Sequence, residues 1–132
     1  MKVVGMFLIG LLFVSCGYTE KELIGVYAPT DYKNTFDTIQ LKEHNKYHRK
    51  VFDKNKKLVL EINGKWELDG NYIKFKSFYL NLDDDLVNFP ESVRDTIGGW
   101  GGNLERRKGT IEFCVGHLSA SLSDQNCYQK LK

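Results

Sequence analysis

The stretch Leu58-Val59-Leu60-Glu61-Ile62-Asn63-Gly64-Lys65-Trp66-Glu67-Leu68 decides the fold. Asn-Gly is the commonest two-residue hairpin turn, so a turn at Asn63-Gly64 is the first reading. The alternation runs against it. Leu58, Leu60, Ile62, Gly64, Trp66 and Leu68 hold one face in unbroken period two, with Val59, Glu61, Asn63, Lys65 and Glu67 opposite. A turn there would also leave just Lys65 to Leu68 before the next turn signal, Asp69-Gly70. We therefore read one long strand in which Gly64 is a bend or bulge. A long strand with a glycine bend is what a curling sheet needs.

Outward from this strand the same grammar repeats. Asp69-Gly70 reads as a hairpin, and Tyr72 to Tyr79 returns with Ile73, Phe75 and Tyr79 on one face. Upstream, Leu23 to Ala28 begins the folded part and Pro29-Thr30-Asp31 ends that strand. Phe36 to Lys42 alternates, with Ile39 and Leu41 together; Glu43 to Lys46 turns, Tyr47 to Phe52 returns, and Asp53 to Lys56 turns again. Downstream, Asn81 to Asn103 breaks the pattern. Pro90 to Ile97 suits two turns of helix, with Pro at its first position and Gly98 as its cap. Gly98-Gly99-Trp100-Gly101-Gly102 reads as a mobile loop carrying one large ring. Leu104 to Val115 is a strand again, Gly116 to Gln125 a polar connection, and Asn126 to Leu131 the closing strand. Seven or eight short alternating strands, almost no helix and no repeat predict an all-β fold: an antiparallel up-and-down barrel or strongly curled sheet of about eight strands, with one short helix in a long loop.

Gly25-Val26-Tyr27, Asp37-Thr38-Ile39-Gln40-Leu41, Asn45-Lys46-Tyr47, Gly64-Lys65-Trp66-Glu67-Leu68 and Asn71-Tyr72-Ile73-Lys74-Phe75 follow one another in an order that resembles the lipocalin-like lipoproteins of Gram-negative bacteria, small calycin-type barrels. The resemblance covers Leu23 to Phe78. It implies the barrel and a ligand-holding role, and it supplies no catalytic residues.

The N-terminus reads as a separate unit. Lys2 is followed by an apolar run from Val3 to Phe13, too short to span a bilayer and shaped like a secretory signal. Phe13-Val14-Ser15-Cys16 resembles the lipobox of bacterial lipoproteins, whose Cys is acylated and becomes the first residue after cleavage. An ordinary signal peptide with an incidental Cys16 is the alternative. The expected organisation is a signal over residues 1–15, a lipidated tether over 16–22, and one barrel domain over 23–132. Gly17 is not the Asp that retains some lipoproteins at the inner membrane. Glu20 and Glu22 resemble the acidic signal that sends others to the cell surface, so the resemblance implies the outer membrane.

The charge of +2 over 132 residues provides no field for nucleic acid. Three cysteines are odd for an exported chain, and lipidation of Cys16 leaves Cys114 and Cys127 to pair. Closing a loop of about a dozen residues contributes roughly 3 kcal/mol by chain-entropy arguments. Because Cys114 lies opposite the Phe113 face, the bond is expected on the exterior of the sheet.

The remaining constellations point away from catalysis. His44 and His48 sit in a turn and a strand, roughly 13 Å apart along an extended chain, too far for one zinc; His117 is remote. Asn81-x-Asp83-x-Asp85 opens like a calcium loop but lacks its later glycine and glutamate. No nucleophile elbow, zinc-protease or phosphate-loop motif occurs. Arg106-Arg107-Lys108 reads as an edge strand defended by charge. The expectation is a non-enzymatic protein without cofactor or metal. Its partners would be the membrane through its anchor, and either a small apolar or amphipathic ligand held in the barrel or an envelope protein. Tyr27, Trp66, Tyr72 and Trp100 are the candidate ligand-binding rings. Trp100 would be a plug over the barrel mouth or an exposed contact. The alternative role is a packed barrel serving as an interaction or assembly module.

Overall fold

The computed structural model describes residues 17–80, 83, 85–90, 97–116 and 126–132. Cys16 and the expected signal, Asn81, His117 and nearly all of the expected helix after Pro90 lie outside the described residues. Eight antiparallel strands close into an up-and-down barrel in chain order: β1 (Gly25–Pro29), β2 (Thr35–Lys42), β3 (Lys46–Asp53), β4 (Leu58–Asp69), β5 (Tyr72–Phe78), β6 (Gly98–Arg107), β7 (Thr110–Cys114) and β8 (Cys127–Lys130). β1 meets β8 with Tyr27 opposite Lys130, so neither is an edge. One helical turn, α1 (Glu20–Leu23), precedes the barrel, and a second, α2 (Asp85–Asn88), lies in the long β5–β6 connection.

The long strand is confirmed, since β4 runs through Asn63-Gly64 without a turn. Gly64 is not its bulge. The β3–β4 ladder continues through Tyr47 opposite Gly64, and the register shift lies beside Val59, where Val51 faces Leu60 and Phe52 faces Leu58. An added residue there rotates the strand end, so Leu58 is exposed and off the inner face on which strict alternation placed it. Gly64 is needed for space instead. A β-carbon there would sit 2.4 Å from the Tyr47 ring and 2.6 Å from the Lys76 carbonyl oxygen.

Two other expectations are corrected. The glycine-rich segment is no loop: Gly101 and Gly102 stand opposite Lys74 and Ile73 in the β5–β6 ladder. Glycine permits this by close approach, because a β-carbon at Gly102 would lie 1.7 Å from the Cys114 carbonyl oxygen. Leu104 to Val115 is not one strand. Arg107 pairs with Thr110 across Lys108-Gly109, both with positive φ, 52° and 77°, which makes a tight hairpin. The eighth strand arises from that division.

Residues 20–22, read as tether, form α1 with Leu23, and Thr19 and Glu22 close a capping box around the turn. Leu23 is fully buried at the barrel's α1 end. The chain termini of the strands place the β2–β3, β4–β5 and β6–β7 turns at that end, and the long connections at the other.

Candidate functional site

An eight-stranded barrel is just wide enough for its own side chains to fill it. Alternation along each strand sends Trp66, Tyr27, Tyr47, Phe75, Phe113 and Tyr128 inward, all buried. Their rings meet: Phe75 lies 5.5 Å from Phe113, and Phe113 stacks on Tyr128 at 5.6 Å. The interior is a packed core.

Its centre is polar. Arg49 of β3 and Asp37 of β2 both point inward, on the faces shared with Val51 and Ile39. Arg49 donates from Nε and Nη2 to the two Asp37 oxygens at 3.0 and 2.7 Å. Its Nη2 also reaches the Tyr128 hydroxyl at 2.9 Å, and that hydroxyl donates to Asp37 at 2.9 Å. Nη1 donates to the Tyr79 carbonyl oxygen. The guanidinium lies 4.4 Å from the Phe78 ring centroid. Burial opposes the charge on Arg49, but the Asp37 carboxylate more than offsets it and holds its pKa above the ordinary arginine value. Burial pushes the Tyr128 phenol well up. The Arg49 nitrogens and the Tyr128 hydroxyl each meet an acceptor, and beside them the Tyr32 hydroxyl donates to Asn126 Oδ1 at 3.3 Å.

The structure divides the four candidate rings into two pairs. Tyr27 and Trp66 are core residues with committed polar atoms: the Tyr27 hydroxyl donates to the Leu23 carbonyl at 2.8 Å, and Trp66 Nε1 donates to the Lys46 carbonyl at 3.0 Å. Tyr72 and Trp100 come together on the outside. They line a groove of about 390 Å³ over β4, β5 and β6, floored by Gly99, Gly101 and Gly116 and bordered by Glu67, Lys74 and Lys76. Trp100 stands opposite Phe75 in the strand ladder, more than a third exposed, and is held by its strand. Lys74 pairs with Asp69 at 2.6 Å and Lys76 with Glu67 at 2.8 Å, and these contacts lower both carboxyl pKa values.

Cys114 and Cys127 are bonded across the β7–β8 hairpin as directly opposed residues. The bond lies on the face opposite Phe113 and Tyr128, although Cys127 itself is covered. Glu112 lies beside the two sulfurs, which are committed to each other and leave no thiolate for a metal. Asp83, the middle of the calcium-like run, binds backbone instead: its carboxylate accepts from the Lys33, Asn34 and Thr35 amides at 2.8 to 2.9 Å and so clamps the β1–β2 loop. His48 pairs with Glu61 at 2.7 Å, and His44 is exposed in its turn. The cationic cluster defends no edge, because β6 and β7 have neighbours on both sides. Arg106 reaches Glu22 at 2.9 Å, and Arg107 lies 3.5 Å from Glu112.

Arg49 and Asp37 were missed as a site. The signal was present, since parity placed Arg49 between Tyr47 and Val51 and Asp37 before Ile39. Comparison with protein-family models, with curated proteins and with solved structures finds no match to this chain.

Proposed function

We propose that this protein is a lipid-anchored barrel of the bacterial envelope that works through its outer surface, as an interaction or assembly module. The observation that carries this reading is the filled interior. A carrier of small apolar molecules needs empty space lined by free side chains, whereas here the inward rings pack on one another and Tyr27 and Trp66 spend their polar atoms on the chain's own carbonyls. Anchoring would come from acylation of Cys16, each buried methylene contributing about 0.8 kcal/mol. A second reading rests on the Tyr72–Trp100 groove, whose volume falls among those of small-ligand sites; an amphipathic molecule would then bind outside the barrel.

The test uses the full chain purified from membranes in detergent, with a Cys16→Ser variant beside it. Intact mass should show acyl chains on the first and none on the second. An apolar fluorescent dye should show no saturable binding that changes Trp66 emission. Saturable binding that persists in Trp100→Ala and quenches Trp66 would restore the carrier reading.

A further inference from the structure

The outer face of β2, β3 and β4 carries three large apolar side chains in one line. Phe36 stands opposite Phe52, and Phe52 opposite Leu58. Phe36 is 63% exposed and Leu58 42%, with Phe52 partly covered between them. Unbroken alternation would turn Leu58 inward with Leu60. The register shift beside Val59 turns it out to complete the line, so the irregularity and the patch are one feature. A separate groove lies at the strand ends. Val87 of α2 is exposed and shares a groove of about 320 Å³ with Asn34, Asp53, Lys54 and Asn55.

Among the described residues the exposed charge around this line is mostly basic. Lys33, Lys54, Lys56 and Lys57 are exposed in the β1–β2 and β3–β4 connections, and among the described residues none of them forms an ion pair. Of the described acids at the same rim, Asp31 is exposed, whereas Asp53 accepts from the Asn55 and Lys57 amides at 2.8 and 2.9 Å and Asp83 from the β1–β2 loop. An apolar strip inside a collar of free ammonium groups fits a complementary chemistry.

We propose that the Phe36–Phe52–Leu58 line is the docking site for an acidic amphipathic segment of a partner protein, its apolar side chains on the line and its carboxylates on the lysine collar. Charge selects this occupant. A second copy would set two lysine collars face to face. A membrane is remote, because the chain leaves toward Cys16 at the α1 end, roughly 20 Å away at the usual rise of a tilted strand. The proposal rests on the interaction-module reading and supplies the class of partner.

The test selects binders to the full chain in detergent from a display library of random short peptides, then measures the strongest peptide by fluorescence anisotropy. Selected sequences should combine Asp or Glu with large apolar residues. Binding should weaken at least about tenfold in Phe36→Ser with Leu58→Ser, and independently in Lys54→Glu with Lys57→Glu, which leaves the apolar line intact; raised salt should weaken it further. All four positions are exposed, and circular dichroism checks that each variant keeps the barrel. Peptides that are neutral or basic, or binding indifferent to both double variants, would overturn the proposal. So would self-association, or capture of phosphatidylglycerol vesicles, that is lost with Phe36→Ser. Failure here leaves the filled interior and the dye result standing, so the two readings fail separately.

Discussion

Arg49 and Asp37 form a two-point ion pair in the middle of the barrel, Nε and Nη2 each on its own carboxylate oxygen, with both side chains fully out of water. The pair joins neighbouring strands two residues off register, since Arg49 stands opposite Ile39 and Asp37 opposite Val51. Removing one partner leaves a buried, uncompensated charge, which costs about 3–5 kcal/mol, whereas replacing both with apolar groups of similar volume is often close to neutral. Arg49→Met and Asp37→Leu should therefore each lower the urea midpoint sharply, and the double variant should recover most of the loss. A double variant as unstable as the sum of the singles would show that the two residues act independently.

The tyrosines make the fold sensitive to base. Burial pushes Tyr47 up to about 12 and raises Tyr27, Tyr32 and Tyr128 further. In the unfolded chain a phenol loses its proton near pH 10. Above that pH the unfolded state binds fewer protons than the folded one, so stability falls as pH rises. Stability should be level up to about pH 10 and then drop by as much as about 1.4 kcal/mol per pH unit for each such tyrosine. Phenolate absorbance followed with circular dichroism checks this: a late fraction of the phenolate signal should appear together with loss of the β spectrum.

Opening the Cys114–Cys127 bond, by a reductant or by Cys114→Ala with Cys127→Ala, should cost roughly 3 kcal/mol. The hairpin seam carries this bond beside the β1–β8 closure, so thermal unfolding of the reduced protein should begin at lower temperature. Equal transition temperatures with and without the bond would remove its role as a staple.

Glycine positions separate two causes of cost. Gly64→Ala must push its methyl into the Tyr47 ring and the Lys76 carbonyl, and should destabilise by about 1–3 kcal/mol. Gly70→Ala meets nothing within 4 Å and loses just the freedom to hold φ at +60°, which costs about 1 kcal/mol. Chemical denaturation of the two variants should rank them in that order.

Trp100→Ala should change stability little, because its ring is more than a third exposed, while Trp66→Ala should cost about 3–5 kcal/mol. The sequence could not distinguish these two tryptophans by residue type. Parity distinguished them in part, since Trp66 shared a face with Ile62 and Leu60, whereas Trp100 sat among glycines that carry no pattern. That same lack of side chains made Gly98 to Gly102 look like a loop, although its contacts are with the backbone of β5 and β7. The Lys108-Gly109 turn was hidden because Arg106 to Thr110 is polar throughout and mimics a solvent face. Strands with clean alternation, such as β2 and β4, were legible almost residue by residue. What lay beyond reach was non-local: the closure of β1 on β8, and the meeting of an acid and a base from paired strands inside a core where charge is ordinarily excluded.

The seam between Tyr27 and Lys130 joins strands at opposite ends of the chain. Every other pairing in the barrel joins neighbours in sequence, so hairpins can assemble progressively as the polypeptide emerges. The ring cannot close until Cys127 to Lys130 has arrived, and until then β1 carries an unsatisfied flank beside α1. Closure of the barrel should therefore wait on this four-residue strand, and shortening it should leave β1 and β7 as open, adhesive edges.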